Sequence, residues 1–371
     1  MKIPSRIITI DRTPIYVGEN ALSFVDKVIR SMHLGHDGIY ILVDKNTRQH
    51  CLPILLEQSA LLAGARLLEI DGGEDSKTIA MAGILWNKLL ASGAGRESLL
   101  VNLGGGVISD LGGFVAAGYK RGINYLNIPT TLMGQSDAAI GGKTAVNLGN
   151  IKNQIGFFYA AKGVFIFPGF LNTLPKDHLR SGMAEIIKCA LVGNARLWRR
   201  IRNHPITEII SLPVENAFWH EMLTSIIKYK NMVVVRDYRE NKLRKVLNFG
   251  HTIGHALEAY SLLDSRKPLL HGEAVAAGMI CAAYLSNQKT GLMVPDMEAI
   301  TTYLTNGIPA YPVETFSIPA VMELMMHDKK RQKGHLQFTL ISKPGNPVIN
   351  ISCDQAEILE ALGFFNATLS G

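Results

Sequence analysis

The first half of the chain alternates short apolar runs with amphipathic segments, and this alternation most constrains the fold. Runs such as GIYILVD, ARLLEI and SLLVNLGGG have the length and the branched residues of buried strands. The intervening segments, such as ALSFVDKVIRSMHL and NTRQHCLPILLEQSALLAG, show helical spacing. Because strands that alternate with helices form a mostly parallel sheet with both faces covered, we predict an α/β fold for this half.

The pattern changes near residue 172 to one helical segment after another, for example LPKDHLRSGMAEIIKCALVG and HGEAVAAGMICAAYLSNQKTG. HLQFTLISKPGNPVINISC predicts a strand pair near the end, and residues 124–159 are predicted to be mainly connecting and binding segments. A chain of 371 residues exceeds what one core usually supports. We therefore predict two domains, an α/β domain at 1–172 and a mainly α-helical domain at 173–371.

Composition narrows the class of protein. The net charge of +7 permits a nucleic-acid partner, but the basic residues are spread out and no recognition motif accompanies them, so we expect none. A small anionic substrate explains the same surplus. The longest apolar run, AVAAGMICAAYL, is too short for a bilayer, and the N-terminus lacks a signal-peptide core, so we expect a cytoplasmic protein without membrane association. Four scattered cysteines indicate buried thiols.

Polar and glycine residues gather at the predicted carboxyl ends of strands, where parallel sheets bind their ligands. Asp44, Glu74 and Lys77 lie at such ends, and so do the three consecutive glycines of GGGVISDLGGF. This string is not a dinucleotide fingerprint. A glycine cluster that precedes a helix nevertheless lets backbone amides approach a pyrophosphate closely.

The stretch LRKVLNFGHTIGHALEAY, residues 243–260, carries an unusual polar stripe. If it is one helix, the stripe falls on one face and comprises Arg244, Asn248, His251, His255 and Glu258. Gly250 and Gly254 stand beside the histidines, although each costs a helix about 1 kcal/mol relative to alanine. The pattern alone permits a buried histidine pair against a close neighbouring helix. Two histidines four residues apart are also a weak metal signal, so the pattern does not decide between the two interpretations.

A carboxylate and two imidazoles are a ligand set that suits a catalytic zinc ion. Glu185, His251 and His271 could supply it, although their separation in the sequence does not establish that they converge. Glu185 and Lys188 share a helix face and could equally form a surface ion pair.

Several strings, in the same order along the chain, resemble the 3-dehydroquinate synthase group of the sugar-phosphate cyclase family. The resemblance extends over about residues 40 to 335, and the strings that carry it are GGGVISDLGGFVAAGYKRG, IPTTLMGQSDAAIGGKTAVN, IKNQIGFFY, TLPKDHLRSGMAEIIK, LRKVLNFGHTIGHALE, HGEAVAAGM and DKKRQKG. The resemblance implies that NAD⁺ and one divalent metal, zinc or cobalt, bind in a cleft between the two domains. It also implies that residues 1–172 form the NAD⁺-binding domain, that residues 173–371 form the metal- and substrate-binding domain, and that the protein is a homodimer. With this resemblance, we expect the glycines beside His251 and His255 to let substrate and metal come close.

Carried over motif by motif, the resemblance implies a role for each site residue. The implied metal ligands are Glu185, His251 and His271. The implied NAD⁺ contacts are Asp44, Glu74, Lys77, Gly105, Gly106, Val107, Asp110, Thr130, Thr131, Asp137, Lys143, Lys152 and Thr173. The implied substrate and phosphate contacts are Lys143, Lys188, Lys230, Arg244, Asn248, Lys152, Asn153, His255, Lys329 and Lys330, with Asp137 among the catalytic residues and Arg121 reaching in from a second subunit.

The implied reaction converts 3-deoxy-D-arabino-heptulosonate 7-phosphate to 3-dehydroquinate and phosphate, a step of the shikimate pathway. A ring hydroxyl is oxidised, phosphate leaves by elimination, the same cofactor reduces the ketone, and an aldol reaction closes the ring. Tyr238, Gly134 and the longer segment before His271 depart from the usual pattern but remove no residue with an implied role. Another cyclase of the family, a metal-dependent polyol dehydrogenase and a non-catalytic binding protein are the alternatives.

Overall fold

A computed structural model describes residues 6–10, 13–32, 34, 38–149, 151–263, 268–313, 317–327, 331–332 and 335–369. The strands are β1 Arg6–Ile10, β2 Thr13–Val17, β3 Ile39–Asp44, β4 Arg66–Ile70, β5 Leu99–Gly104, β6 Asn124–Pro129, β7 Lys143–Leu148, β8 Ile151–Phe158, β9 Val164–Ile166, β10 Arg331–Gln332, β11 His335–Lys343 and β12 Asn346–Cys353. The helices are α1 Val25–Ser31, α2 Lys45–His50, α3 Leu52–Gln58, α4 Ile79–Ala91, α5 Gly106–Gly118, α6 Lys176–Gly193, α7 Ala195–Ile201, α8 Ile206–Ile209, α9 Ala217–Arg236, α10 His251–Leu263, α11 His271–Thr290, α12 Val294–Gly307, α13 Ile318–His327 and α14 Gln355–Leu369.

The chain divides into two compact units. The first contains Met1–Pro175 and Pro213–Val235, and the second contains Lys176–Leu212 and Arg236–Gly371. The first division lies three residues beyond the sequence-based boundary at 172. The segment Pro213–Val235, which includes nearly all of α9, belongs to the first unit although it follows Lys176–Leu212 of the second unit in the sequence.

The first unit is built on a seven-stranded sheet with the strand order β1-β2-β9-β6-β5-β3-β4. Every neighbouring pair in it is parallel except β1 with β2. All six residues of β5 are buried, as expected for a central strand covered on both faces. The predicted mostly parallel α/β fold is therefore confirmed.

Residues 124–159 contain more regular structure than predicted. They include β6 and an antiparallel hairpin of β7 and β8, whose connection contains Gly149 at φ +55°. The alternation of buried and exposed residues in KTAVNL is a strand signal, but the glycines and lysines around it obscured it. The prediction of mainly connecting segments was wrong here.

The second unit is mainly helical and centres on α11. Fourteen of the twenty residues of α11 are buried, because α6, α10, α12, α14 and β11 all pack against it. Strands β10, β11 and β12 form an antiparallel sheet, and β11 and β12 are joined through Gly345 at φ +85°, as predicted from the sequence. Among the described residues, every helix falls short of the combined length and hydrophobicity that crossing a bilayer requires.

Candidate active site

Three helices of the second unit bring the predicted metal ligands together. Glu185 lies in the middle of α6 with 1% of its side chain exposed, while His251 and His271 are the first residues of α10 and α11. Glu185 Oε1 lies 3.6 Å from His251 Nε2 and 3.5 Å from His271 Nε2. These residues are distant in sequence, so only the packing of α6, α10 and α11 makes them a cluster.

The spacing of these atoms fits a divalent cation. Two ligand atoms that each lie about 2.1 Å from a tetrahedral zinc ion are about 3.4 Å apart. The separations of 3.5 and 3.6 Å are close to this value. One carboxylate oxygen and two imidazole nitrogens are also a donor set that zinc or cobalt accepts. The residues present therefore fit the metal that the resemblance implies.

A third imidazole belongs to the same cluster. His255 lies one turn after His251 on α10, and one nitrogen from each of His251, His255 and His271 lies within 4.8 Å of the others. The ring centroids of His255 and His251 are 5.0 Å apart. The sequence assigned His255 to proton transfer and phosphate binding, and the structure places it beside the predicted ligands.

Charged partners surround this cluster. The ammonium of Lys188 bonds to Glu185 Oε2, and both side chains are 1% exposed, so the surface ion pair considered for them is excluded. Glu258 Oε2 accepts a hydrogen bond of 3.0 Å from His271 Nδ1. Burial lowers the pKa of His271, but the charge of Glu258 and the hydrogen bonds to Glu185 and Glu258 raise it more, to about 10. The cluster thus favours positive charge at its centre.

The polar stripe of residues 243–260 does not lie on one helix. Leu243–Asn248 form a 3₁₀ helix, and α10 begins only at His251. Gly250 between them has φ +79°, a left-handed conformation that glycine adopts without strain. The one-face prediction was therefore wrong, because Gly250 redirects the chain between the two helices.

The glycines in this stretch serve helix packing, which contradicts our expectation that they admit substrate. A Cβ atom on Gly254 would lie 2.9 Å from the carbonyl oxygen of Ala274 in α11. A Cβ on Gly278 of α11 would lie 1.9 Å from the carbonyl oxygen of Gly250. The backbones of α10 and α11 meet at these positions, and this close approach brings the two helix starts with their histidines together.

The 3₁₀ helix carries two predicted substrate residues, Arg244 and Asn248, and a short loop holds both. Asp237 accepts the backbone N–H of Arg244 at 2.9 Å, and Arg244 Nη1 donates to the carbonyl oxygen of Tyr238 at 2.7 Å. Asn248 Nδ2 donates to Glu240 Oε1 at 2.5 Å. Arg244 is buried, so its guanidinium is held in a fixed orientation. The sequence did not identify Asp237 or Glu240 as supporting residues.

In the first unit, the glycine cluster lies where β5 ends and α5 begins. A Cβ on Gly105 would lie 2.9 Å from Thr131 Cγ2, and one on Gly106 would lie 3.3 Å from the Cβ of Ala138. Both glycines therefore allow the start of α5 to approach the segment after β6. Predicted cofactor contacts from two neighbouring strand ends are thereby adjacent.

A buried lysine lies among several other predicted cofactor and phosphate residues of the first unit, and its Nζ is 4.0 Å from Glu74 Oε1. Lys77 Nζ lies 2.6 Å from Asp110 Oδ2 and 2.5 Å from Asn153 Oδ1. Lys152 Nζ lies 3.8 Å from Glu74 Oε1. Burial raises the pKa of Asp110, and the positive charge of Lys77 opposes that rise. These five residues form one polar network, which we call the Lys77 network.

Asn147 joins this network, and the sequence analysis missed it. Its side-chain nitrogen donates to Glu74 Oε1 at 2.9 Å, and its oxygen accepts the backbone N–H of Asn153 at 3.0 Å. Asn153 has φ +56°, a conformation that asparagine tolerates better than most residues. Only the recognition of the β7–β8 hairpin would have pointed to Asn147.

Asp137 and Lys230 form a second polar contact in the first unit. Residues Gly134–Ala138 form a single π-helical turn, a geometry that is frequent at functional sites. Lys230 Nζ on α9 donates to both the carbonyl oxygen and Oδ1 of Asp137, each at 2.5 Å. The sequence predicted both residues but not their contact.

The other predicted residues lie at separate positions. Asp44 caps α2 by accepting the backbone N–H of Thr47 at 2.8 Å, and Arg121 lies exposed on a turn with φ +70°. The remaining predicted positions lie at element ends or in turns and are Val107 in α5, Thr130 after β6, Lys143 at the start of β7 and Thr173 in a 3₁₀ helix. Lys329 and Lys330 lie outside the described residues.

Comparison with solved structures identifies the class of this protein. The 2-epi-5-epi-valiolone synthase from Streptomyces hygroscopicus, with NAD⁺ and Zn²⁺ bound, superimposes with a TM-score of 0.82 at 27% identity, covering 98% of each chain. A 2-deoxy-scyllo-inosose synthase complexed with carbaglucose-6-phosphate, NAD⁺ and Co²⁺ also gives 0.82, at 26% identity, covering 96% of this chain and 99% of that one. This fold defines a protein of the sugar-phosphate cyclase class, and the cluster of Glu185, His251 and His271 agrees with it.

Sequence comparison identifies the family within that class. The 3-dehydroquinate synthase N-terminal model matches residues 67–181, and the 3-dehydroquinate synthase C-terminal model matches residues 182–331. The 3-dehydroquinate synthase of Parabacteroides distasonis is 40% identical over 333 residues, which are 90% of this chain and 92% of that protein. The chain belongs to the 3-dehydroquinate synthase family, and the predicted resemblance is confirmed.

Proposed function

We propose that the protein converts 3-deoxy-D-arabino-heptulosonate 7-phosphate to 3-dehydroquinate and inorganic phosphate. The family match over residues 67–331 supports this activity. The observation that carries the proposal is the convergence of Glu185, His251 and His271 with the separations that a divalent cation requires.

Two bound groups take part in the proposed reaction. NAD⁺ supplies a hydride acceptor that is regenerated in each turnover, and a divalent cation polarises the substrate oxygen. In the proposal Glu185, His251 and His271 hold the cation. The proposed NAD⁺ contacts are Gly105, Gly106 and Val107 at the start of α5, Glu74, Lys77, Asp110 and Lys152 of the Lys77 network, and Asp44, Thr130, Thr131, Asp137, Lys143 and Thr173.

The protein's own cations hold the substrate anion in this proposal. Arg244 is buried, and its planar guanidinium suits bidentate recognition of a carboxylate. Lys230 is oriented through its two bonds to Asp137, which fixes the position of its charge. Lys143 and Asn248 complete the set that binds the carboxylate and hydroxyl groups.

Proton transfer and phosphate binding are assigned to the neighbouring residues. His255 lies within the imidazole cluster, and an imidazole can accept and return a proton near neutral pH. Lys188 is adjacent to the ligand Glu185, so its ammonium would lie beside the reacting hydroxyl groups. Lys152, Asn153, Lys329 and Lys330 are assigned to the phosphate.

The activity is tested by incubating the protein with NAD⁺, Zn²⁺ and the heptulosonate phosphate while phosphate release is measured. We expect phosphate release without net accumulation of NADH, because the hydride returns to the product. Glu185→Ala and His271→Ala are expected to abolish the release and to lower the bound metal. An absence of phosphate release from the wild-type protein would refute the proposal.

A cyclase that acts on a sugar phosphate without a carboxylate is the second candidate, because a 2-deoxy-scyllo-inosose synthase complexed with carbaglucose-6-phosphate has a similar structure. Arg244 favours a substrate with a carboxylate, since its planar guanidinium can donate two parallel hydrogen bonds to such a group. Phosphate release from a sugar phosphate without a carboxylate, and none from the heptulosonate, would select the second candidate. Net NADH formation with a polyol would instead indicate a dehydrogenase.

We also propose a homodimer in which Arg121 enters the partner's site. Its exposed position on a turn with positive φ supports this role. Arg121→Ala and Lys143→Ala should each be inactive, but their mixture after dissociation and reassociation should regain about a quarter of wild-type activity. Half of the dimers would be mixed, and each mixed dimer would have one intact site. A mixture that stays inactive would exclude the shared site.

A cytoplasmic location is part of the proposal. All four cysteines are free and buried, which is typical of proteins in a reducing compartment. Fractionation of cells that produce the protein would test the location.

A further inference from the structure

Glu258 on α10 has no role in the function proposed so far, yet its carboxylate lies next to His271, one of the three proposed metal ligands. Its side chain is 2% exposed, and Oε2 lies 3.0 Å from His271 Nδ1. Glu258 follows His251 by seven residues, so both project from the same face of α10. A buried carboxylate is costly unless it is paired, and its partner here is an imidazole.

The two nitrogens of His271 face different carboxylates. Nε2 lies 3.5 Å from Glu185 Oε1, on the side of the cation site, while Nδ1 lies 3.0 Å from Glu258. An imidazole can bind a cation through Nε2 only if its remaining proton is on Nδ1. A carboxylate that accepts the Nδ1 proton fixes this tautomer and the ring orientation, and it increases the basicity of Nε2.

The surrounding backbone restrains the position of Glu258 relative to His271. The carbonyl oxygen of Glu258 accepts the hydroxyl of Ser261 at 2.7 Å, and that hydroxyl accepts the backbone N–H of Leu269 at 3.0 Å. Gly272 N donates to Ser181 Oγ on α6 at 3.0 Å. The backbone around His271 is therefore tied to both α10 and α6, whereas its ring is restrained by the carboxylate.

We propose that Glu258 is a positioning residue that orients His271 and sets its tautomer for cation binding. The proposal rests on the ligand set of Glu185, His251 and His271 in the proposed function. It predicts that Glu258 acts on cation affinity through His271 and contributes little to affinity when that imidazole is absent.

The test measures the Zn²⁺ affinity of the full-length, metal-free protein by competition with a chromophoric chelator. We expect about 10-fold weaker binding for Glu258→Gln, which keeps the shape but loses the charge, and about 100-fold weaker binding for Glu258→Ala. The matched control is Glu273→Gln. Glu273 is another buried carboxylate of the first turn of α11, and it bonds to the backbone N–H of Leu270. This control should bind Zn²⁺ within about 2-fold of wild type, since the Glu273 carboxylate bonds to the backbone and has no assigned role in orienting a metal-binding histidine.

A second comparison separates positioning from a general structural effect. In a His271→Ala background, Glu258→Gln should change the Zn²⁺ affinity by less than about 2-fold, because the residue through which it acts is gone. Circular dichroism and thermal unfolding of the metal-free variants show whether each is folded. If Glu258→Ala does not fold, the nearly isosteric Glu258→Gln carries the test.

The outcomes distinguish this inference from the proposed function. Wild-type affinity in Glu258→Gln, or an equal loss of affinity in both backgrounds, would overturn the positioning role while the ligand set stands. Unchanged affinity in His271→Ala would overturn both, because His271 would then not be a ligand. A loss for Glu258→Gln that disappears in the His271→Ala background supports the proposal.

Discussion

The contact between α10 and α11 predicts that one methyl group at Gly278 would disturb both the second unit and its proposed cation site. A Cβ on Gly278 would lie 1.9 Å from the carbonyl oxygen of Gly250 and 2.7 Å from the backbone nitrogen of Gly254. Both neighbours are backbone atoms, so no side-chain rotation relieves the clash. Since real Cβ atoms essentially never come closer than 3.0 Å to such neighbours, the helices must separate locally by about 1.1 Å, the difference between 3.0 and 1.9 Å.

This separation sets the expected size of the effect. Inserting a methyl group into a packed core typically costs about 1–3 kcal/mol, and relief by moving two helix backbones belongs at the upper end. The replacement of glycine by alanine in a helix returns at most about 1 kcal/mol. We therefore expect Gly278→Ala to lower the free energy of unfolding by about 2–3 kcal/mol, which corresponds to a decrease of about 4–12 °C in Tm for a unit of this size. Zn²⁺ affinity should fall as well, because His251 follows Gly250 directly.

Differential scanning calorimetry of the metal-free proteins measures the stability, and chelator competition measures the affinity. The matched control is Gly363→Ala in α14 of the same unit, where a Cβ would have nothing within 4 Å. It should raise the stability by about 0.4–1 kcal/mol, because the unfolded chain loses freedom. If the free energy of unfolding of Gly278→Ala were within about 0.5 kcal/mol of the wild-type value, α10 and α11 would not be in backbone contact at this glycine.

Three further predictions follow from contacts in the structure. Asp237→Asn should raise the KM for the substrate, because Asp237 holds the backbone of Arg244. Partial burial raises the pKa of Asp237, but the backbone N–H groups that it accepts lower this pKa further. Asp237 should therefore stabilise the wild type above about pH 4, and this contribution should decrease as the pH falls through the lowered pKa, which an acid titration of the unfolding free energy measures. Lys77→Met should weaken NAD⁺ binding at least about 10-fold and destabilise the first unit by about 3 kcal/mol, since it leaves the Asp110 carboxylate without its ammonium. Calorimetric titration with NAD⁺ measures the binding, and an unchanged Kd would contradict the assignment of Lys77 to the NAD⁺ site. The four cysteines are buried, and burial raises the pKa of Cys51, Cys281 and Cys353 to about 12. They should therefore react with a thiol reagent only after denaturation, and rapid labelling of the native protein would contradict this.

The sequence predicted those parts of the molecule that depend on local pattern. The parallel sheet follows from apolar runs between amphipathic segments, and strand ends such as Asp44 and Gly104 could be located because each run stops at a polar or glycine residue. The metal ligands were proposed from residue type and from resemblance. Their convergence was not predictable from spacing, because it depends on the packing of α6, α10 and α11.

The errors in the sequence-based interpretation have a common physical cause. The helical period of residues 243–260 continues across Gly250, but the backbone does not, because that glycine adopts a positive φ. The two glycines beside the histidines looked like space for a ligand, whereas the backbone of α11 occupies that space. The helical pattern shows neither the φ of a glycine nor the helix that packs against it. Glu258 was likewise visible in the stripe, but its role depends on where His271 lies.

The position of α9 in the chain has a consequence for synthesis. Lys230 bonds to Asp137 across 93 residues, and Pro213–Val235 belongs to the first unit although Lys176–Leu212 of the second unit precedes it. At about 5–20 residues per second, a ribosome needs roughly 5–19 s to proceed from Asp137 to Lys230. The nascent first unit must therefore wait several seconds for its last helix, while part of the second unit has already been made. A fragment that stops at residue 175 would lack that helix. The first unit can therefore complete its fold only after α9 has been synthesised.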